Sequence, residues 1–162
     1  LDMQIRAFTE KHPAFIRSQQ RVNQKYIKYS DFIIHIFYDH LLAKNWNKYS
    51  EVSLDNFSDI IYGVLLEHIS ILPHKLKKFS PEMISKKWIT SISSIEGTHQ
   101  YIKMLLKTER FTTNLEHSLG ELMEHYQDFC NDFDEYFRDL TEYVNTEADK
   151  FNNEQEYLLA TA

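Results

Sequence analysis

Chain-breaking residues are scarce: the 162 residues include 3 glycines and 3 prolines. So few leave little room for hairpins and tight turns, and favour long helices. Cysteine is scarcer still. Cys130, standing alone, excludes an internal disulfide and a cysteine metal cluster. A reducing cytoplasm is the compartment such a chain suits. The apolar run from Phe32 to Phe37, interrupted by His35, falls far short of the roughly 20 residues a membrane span needs, so no membrane role is expected. The opening Leu1-Asp2-Met3-Gln4 has no basic stretch leading into an apolar one, so no signal peptide is expected there. It starts on Leu rather than Met, the pattern of a fragment or a processed form. No phosphate-cradling glycine loop and no nucleophile elbow occurs.

What is present is ordinary for a globular protein: 43% hydrophobic and 26% charged residues. The formal net charge of -6 is unevenly placed. Residues 1–74 carry eight basic and eight acidic side chains, residues 75–110 eight basic and three acidic, and residues 111–162 two basic and thirteen acidic. The basic stretch includes Lys75, Lys77, Lys78, Lys86 and Lys87. It reads either as a solvated lysine-rich face or as a surface that steers an anionic partner. The acidic balance and the lack of a nucleic-acid motif argue against nucleic acid.

Apolar periodicity predicts an all-α fold. A first helix through Ile5 and Phe8 should stop near His12-Pro13, because the residue before proline is pushed out of the α region. Pro13 then opens a second helix with Phe15, Ile16 and Val22 inward. Ser30-Asp31 is read as the cap of a third helix reaching Trp46, and Ser53 as the cap of a fourth through Ile69. Ser80-Pro81-Glu82 is read as a cap with proline at the first helical position, opening a short helix that carries Met83, Ile84 and Trp88. Another helix spans Ile95 to Leu106. Leu115, Leu119, Leu122, Tyr126, Phe129, Phe133, Phe137, Leu140 and Val144 form one continuous stripe on a last, long amphipathic helix. Its thirty residues would reach about 45 Å. No linker or repeat interrupts the chain, so residues 1–162 are read as one compact domain, with the polar tail 146–162 frayed.

Asp39-His40 is the pair most suggestive of chemistry. Together they offer oxygen and nitrogen ligands suited to Mn²⁺, Mg²⁺ or iron. His35 lies one turn earlier, on the same helix face as Asp39. The plainer reading of His40 is a core histidine hydrogen-bonded to a carboxylate. Cys130 reads as a small core residue. Trp46 and Trp88 read as core anchors or as the wall of a cleft.

The run Phe37-Tyr38-Asp39-His40-Leu41-Leu42-Ala43-Lys44-Asn45-Trp46, followed by Tyr49-Ser50, resembles the signature of the acyl-carrier-protein phosphodiesterases. Further pieces follow in that family's order: Phe8-Thr9-Glu10, His12-Pro13, Leu72-Pro73, Met83 with Trp88, Glu96-Gly97, and Leu122 with His125-Tyr126 and Phe129. The resemblance covers residues 1 to about 145. It implies a non-standard relative of the HD metal phosphohydrolases. The implied reaction is hydrolysis of the phosphodiester joining 4′-phosphopantetheine to a serine of holo-acyl-carrier protein, assisted by a divalent metal, typically Mn²⁺. Asp39, His40 and His35 are then the expected metal ligands, and Asp39, His40 and Lys44 the catalytic set, with Lys44 on the phosphate. The lysine-rich stretch becomes the docking face for the acidic carrier protein.

The sequence also departs from that pattern. The family's usual first segment, with its histidine and Asn/Asp motif, does not occur in these residues. Asp2, Met3 and Arg6 stand in the place of a His-Arg-x-x-Asp stretch, and His35 stands where an acid is common. A relative that binds the carrier without hydrolysing it, or one that acts on small phosphoesters, is the alternative expectation.

Overall fold

The computed structural model describes residues 2–108 and 115–160, except the side chains of residues 2, 23–25, 75, 108 and 152–160. Every regular element among the described residues is helical, in keeping with the all-α expectation. The chain divides into two compact units: residues 1–34 with 121–162, and residues 35–120. None of the described helices is long and apolar enough to cross a membrane.

The first unit contains α1 (Asp2–Lys11), α2 (Pro13–Tyr26) and the long α9 (Tyr126–Ala160). The His12-Pro13 boundary holds for two reasons. Pro13 has no amide to lose at the first helical position. His12 stays extended and accepts a hydrogen bond from the Ala14 amide at Nδ1, 3.3 Å away. Phe15, Val22, Phe129 and Phe133 are buried between α2 and α9, each stabilising by about 1.5–3 kcal/mol. Ile16, expected inward, is 37% exposed. It sits about 100° around the helix from Phe15, off the face that Phe15 and Val22 share. At the centre of this unit Asp132, 3% exposed, accepts from Arg17 Nε at 2.9 Å, from Ser18 Oγ at 3.0 Å, and from Arg21 Nη1. Thr9 Oγ1 and the Tyr136 hydroxyl meet at 2.9 Å.

The second unit holds most of α3 (Ser30–Lys44), then α4 (Leu54–Glu67), α5 (His74–Ser85), α6 (Trp88–Ser91) and α7 (Ile95–Thr108). It also takes the start of α8 (Ser118–Glu124). Ser53 caps α4 as expected, its Oγ accepting from the Asn56 amide at 3.2 Å. Ser30 is the first residue of α3 rather than its cap, and α3 stops at Lys44, short of Trp46. There Asn45 turns its Nδ2 back onto the Leu41 carbonyl at 2.8 Å, the side-chain-to-backbone bond with which Asn competes against helix.

Two further expectations are corrected. Pro81 does not open a helix but lies inside α5. Ser80 Oγ donates to the Leu76 carbonyl at 2.7 Å instead of capping anything. The helix is already running from His74 when the proline arrives, so the proline costs it one main-chain hydrogen bond without ending it. The break comes later, at Lys87, whose φ of 47° is left-handed. Trp88 consequently starts α6, separate from Met83 and Ile84 on α5. The last apolar stripe is likewise interrupted. A turn at His125 separates α8 from α9, although main-chain bonds from His125 to Glu121 (3.1 Å) and from Phe129 to His125 (3.1 Å) run across it.

Candidate functional site

Asp39 follows from the register of α3. Ile33, Ile36, Phe37, Tyr38 and Leu41 are buried, and Asp39 emerges on the helix flank that faces a cavity of about 260 Å³. Leu42 and Ala43 of α3, Trp46, and Leu54 and Phe57 of α4 form one side. Met83, Trp88, Ile89, Ile92 and Tyr101 complete it. The wall is therefore apolar except for one carboxyl and one phenol. Asp39 is exposed and lines this cavity, where apolar neighbours crowd its carboxyl. Loss of solvation pushes its pKa up to about 6. Tyr101 is pushed up to about 12, first by burial and then by the Asp39 charge, so its phenol keeps its proton.

Trp46 and Trp88, the two tryptophans of the chain, both line the cavity. Trp46 Nε1 donates to the Val52 carbonyl at 2.6 Å, and its ring sits 4.6 Å from that of Phe57. Trp88 meets Tyr101 edge-on at 5.7 Å. Tyr62 Oη accepts the Ile89 amide at 3.0 Å, tying α6 to α4.

His40 has no exposed surface. Its Nδ1 lies 2.7 Å from the Ile92 carbonyl oxygen. A carbonyl can only accept, so Nδ1 carries the proton and the neutral ring keeps its lone pair on Nε2. Burial, opposed by that hydrogen bond and aided by the Lys44 charge, lowers the ring's pKa. Thr98 Oγ1 stands 3.2 Å from the same nitrogen, 2.8 Å from the Ser94 carbonyl and 3.0 Å from that of Ile92. His40 is thus a buried histidine, and a backbone carbonyl is one of its partners. Gly97 makes this arrangement possible, since a Cβ there would lie 1.8 Å from the Ser91 carbonyl oxygen.

Beside the apolar cavity lies a polar hollow of about 360 Å³, which shares Ala43, Trp46 and Leu54 with it. Lys44, Asn47, Ser53, Asp55, Thr90 and Ser93 supply its polar groups. Asp39, Lys44, Trp46 and Trp88 therefore converge on two adjoining hollows.

His35 is exposed on α3 and lines neither hollow. The fold gathers a different group of metal-ligating side chains from the expected one. His40 fits a ligand in its tautomer, because metal-bound histidines commonly give the other ring N–H to a carbonyl. Among the described residues, however, Asp39, His40 and His35 do not gather three ligand atoms. The group that does is Glu121, Glu124 and His125, whose donor atoms lie within 4.8 Å of one another. Two carboxylates and an imidazole are a donor set that accepts a divalent cation. Their spacing is visible in the sequence, at i, i+3 and i+4, but sits within a long acidic stretch that hides it.

Of the lysines read as a docking face, Lys77 Nζ donates to the Ser70 carbonyl at 2.5 Å and Lys86 pairs with Glu82 at 2.8 Å. Lys78, Lys86 and Lys87 are exposed. The side chain of Lys75 lies outside the described residues.

The comparisons agree with the resemblance in the sequence. A family model described as acyl carrier protein phosphodiesterase matches residues 1–140. A relative from Photorhabdus laumondii subsp. laumondii, named acyl carrier protein phosphodiesterase, is 21% identical over 126 residues, which is 77% of this chain and 64% of the relative. No solved structure matches the chain. The matched residues include all of both hollows as well as the Glu121–His125 group, and the chain belongs to the acyl carrier protein phosphodiesterase family.

Proposed function

We propose that this chain hydrolyses the phosphodiester of holo-acyl-carrier protein, releasing 4′-phosphopantetheine and apo-carrier protein. The observation that carries the reading is Asp39, an accessible carboxyl in an apolar cavity within the family-matched residues, with a pKa of about 6. A carboxylate tuned this way is a competent base near neutral pH. It takes the proton of a water as that water's oxygen attacks phosphorus, the bond from phosphorus to the serine oxygen breaks, and the serine oxygen takes up a proton from solvent. Lys44, in the adjoining hollow, offsets the phosphate charge and orients it. His40 acts through position: its bond to Ile92 fixes α3 against the segment after α6.

A divalent metal, Mn²⁺ first, belongs to this reading through the family. Glu121, Glu124 and His125 offer ligands for it. Hydrolysis would be cytoplasmic. Lys77, Lys78, Lys86 and Lys87 supply charge for docking the acidic carrier.

A second reading, binding of the carrier without hydrolysis, is favoured by one fact: the expected Asp39, His40 and His35 do not assemble as a ligand set. Intact-mass spectrometry of holo-carrier protein incubated with the chain, with Mn²⁺ or with chelator, separates the two. Loss of the phosphopantetheine mass is expected, and complete retention by a folded sample that still binds the carrier would establish the second reading.

A further inference from the structure

The two adjoining hollows differ in chemistry, and that difference fixes which part of a ligand each can hold. Leu42, Met83, Ile89 and Ile92 give the first an apolar lining, and Asp39 and Tyr101 are its polar groups. An anion placed there would lose its hydration and face a carboxyl, with no cation on the wall to compensate. The second hollow contains Lys44 and the Ser53 hydroxyl, which can meet a phosphate oxygen, whereas the Thr90 and Ser93 hydroxyls donate to the Lys87 and Thr90 carbonyls. Asp55 also lines it, so an anion there depends on Lys44 for its attraction.

Size narrows the occupant. An apolar cavity of about 150 Å³ is enough for a benzene ring, whereas sites for whole drug-sized ligands start at about 300 Å³. At about 260 Å³, the Asp39 cavity suits a branched fragment rather than a complete phosphopantetheine arm. That arm begins, one methylene from its phosphate, with a carbon bearing two methyl groups, then a secondary hydroxyl and an amide. Its chemistry runs from anion to branched apolar centre to paired polar groups. The hollows present that order, across the shared wall of Ala43, Trp46 and Leu54.

We infer that the Asp39 cavity seats the dimethyl-bearing, phosphate-proximal stretch of the phosphopantetheine arm, while the phosphate turns into the hollow of Lys44. This rests on the hydrolase reading for the identity of the ligand, and adds where the ligand's apolar part is recognised. Tyr101 then meets the hydroxyl or the amide, while Asp39, one helical turn before the shared Ala43, keeps its carboxyl for the water that attacks phosphorus. Recognition by this cavity requires no phosphate.

Both tryptophans of the chain line the cavity, so intrinsic fluorescence of the unmodified protein reports its occupancy directly. Titration with pantetheine, which lacks the phosphate, should shift the emission saturably, and should still do so in an excess of inorganic phosphate, which occupies only the hollow that Trp46 also lines. Ile89→Phe, which fills the cavity from its half-buried wall, should weaken pantetheine binding about tenfold or more with unchanged helicity by circular dichroism. Met83→Phe gives the same reading should Ile89→Phe not fold. A flat pantetheine titration from protein that still hydrolyses holo-carrier would overturn the inference and leave the function intact. Saturable pantetheine binding without hydrolysis would support the cavity assignment and sink the hydrolase reading instead. A response to decanoate but not to pantetheine would also overturn the inference, by making the cavity a site for straight aliphatic chains.

Discussion

His40 Nδ1 lies 2.7 Å from the Ile92 carbonyl oxygen and donates to it, and this bond joins α3 to the turn that carries α6 into α7. Removing the ring leaves a buried carbonyl without that donor and a void in a wholly buried place. His40→Ala should cost about 3 kcal/mol in urea unfolding, combining cavity and lost hydrogen bond. Thr98→Val, which keeps the shape and removes one hydroxyl, should cost about 1 kcal/mol. Equal losses from the two variants would mean that His40 is no more of an anchor than its neighbour.

Asp39 and His40 respond to pH in opposite senses. Asp39 is raised from 3.8 to about 6, so between those values the unfolded chain has released the proton the folded chain still holds. Stability therefore falls as pH rises through that window. His40 lies below its ordinary 6.5 when folded, so below that pH the unfolded chain binds the extra proton and stability falls as pH drops. In chelator-treated protein, Asp39→Asn should therefore steepen the loss of stability on acidification between about pH 6 and pH 4. An unchanged slope would show that Asp39 titrates as an ordinary surface carboxylate.

The same group sets the expected rate profile. A base must be ionised to accept a proton, so kcat/KM for holo-carrier hydrolysis should climb with pH through about 6 and then level. Asp39→Ala should abolish hydrolysis while the far-ultraviolet circular dichroism stays that of the parent. Collapse of the helical signal would move Asp39 from chemistry to architecture.

Much of this was legible in the residues, and what was not has physical reasons. Helix starts at Pro13 and Ser53 were readable because capping and proline rules act over three or four residues. Pro81 misled because its local signal, serine then proline then glutamate, is that of a start, and only the preceding turn shows the helix already under way. Asp39, Lys44 and Trp46 were found because they share one stretch of α3 and its end. Tyr101 and Met83 come to the same cavity from other helices, and Ile92 from the turn after α6, with no periodicity linking them to Asp39. Glu121, Glu124 and His125 had the right spacing, but thirteen acidic residues in that final third concealed it.

Asp132 tests the other unit. Its carboxylate serves Arg17, Ser18 and Arg21 at once, while Arg17 and Arg21 remain 43% and 25% exposed. Partial solvation of the partners moderates the loss, so Asp132→Asn should cost about 2 kcal/mol, between the surface and buried limits. A change under about 0.5 kcal/mol would class the cluster with ordinary surface pairs.

Gly97→Ala should be among the most damaging conservative changes in the chain. The added methyl would meet a main-chain oxygen 1.8 Å away, and backbone cannot swing aside as a flexible side chain can. We expect about 3 kcal/mol lost, with a visible change in tryptophan emission as α7 and Tyr101 shift. An unaltered melting temperature would mean the turn from Ser91 to Ser94 yields freely.

Lys86→Glu with Lys87→Glu should weaken carrier binding, with the larger effect at low salt. Equal affinity at every ionic strength would remove these two lysines from the docking face.

The left-handed backbone at Lys87 also limits what can ever stand there. Valine, isoleucine and threonine are excluded by their branched Cβ, while asparagine, aspartate and glycine are tolerated. Glycine would relieve the torsional cost and give up the charge, so position 87 trades backbone ease against a positive charge. Drift at this position is thereby channelled into a short list of residues, whichever partner the surface meets.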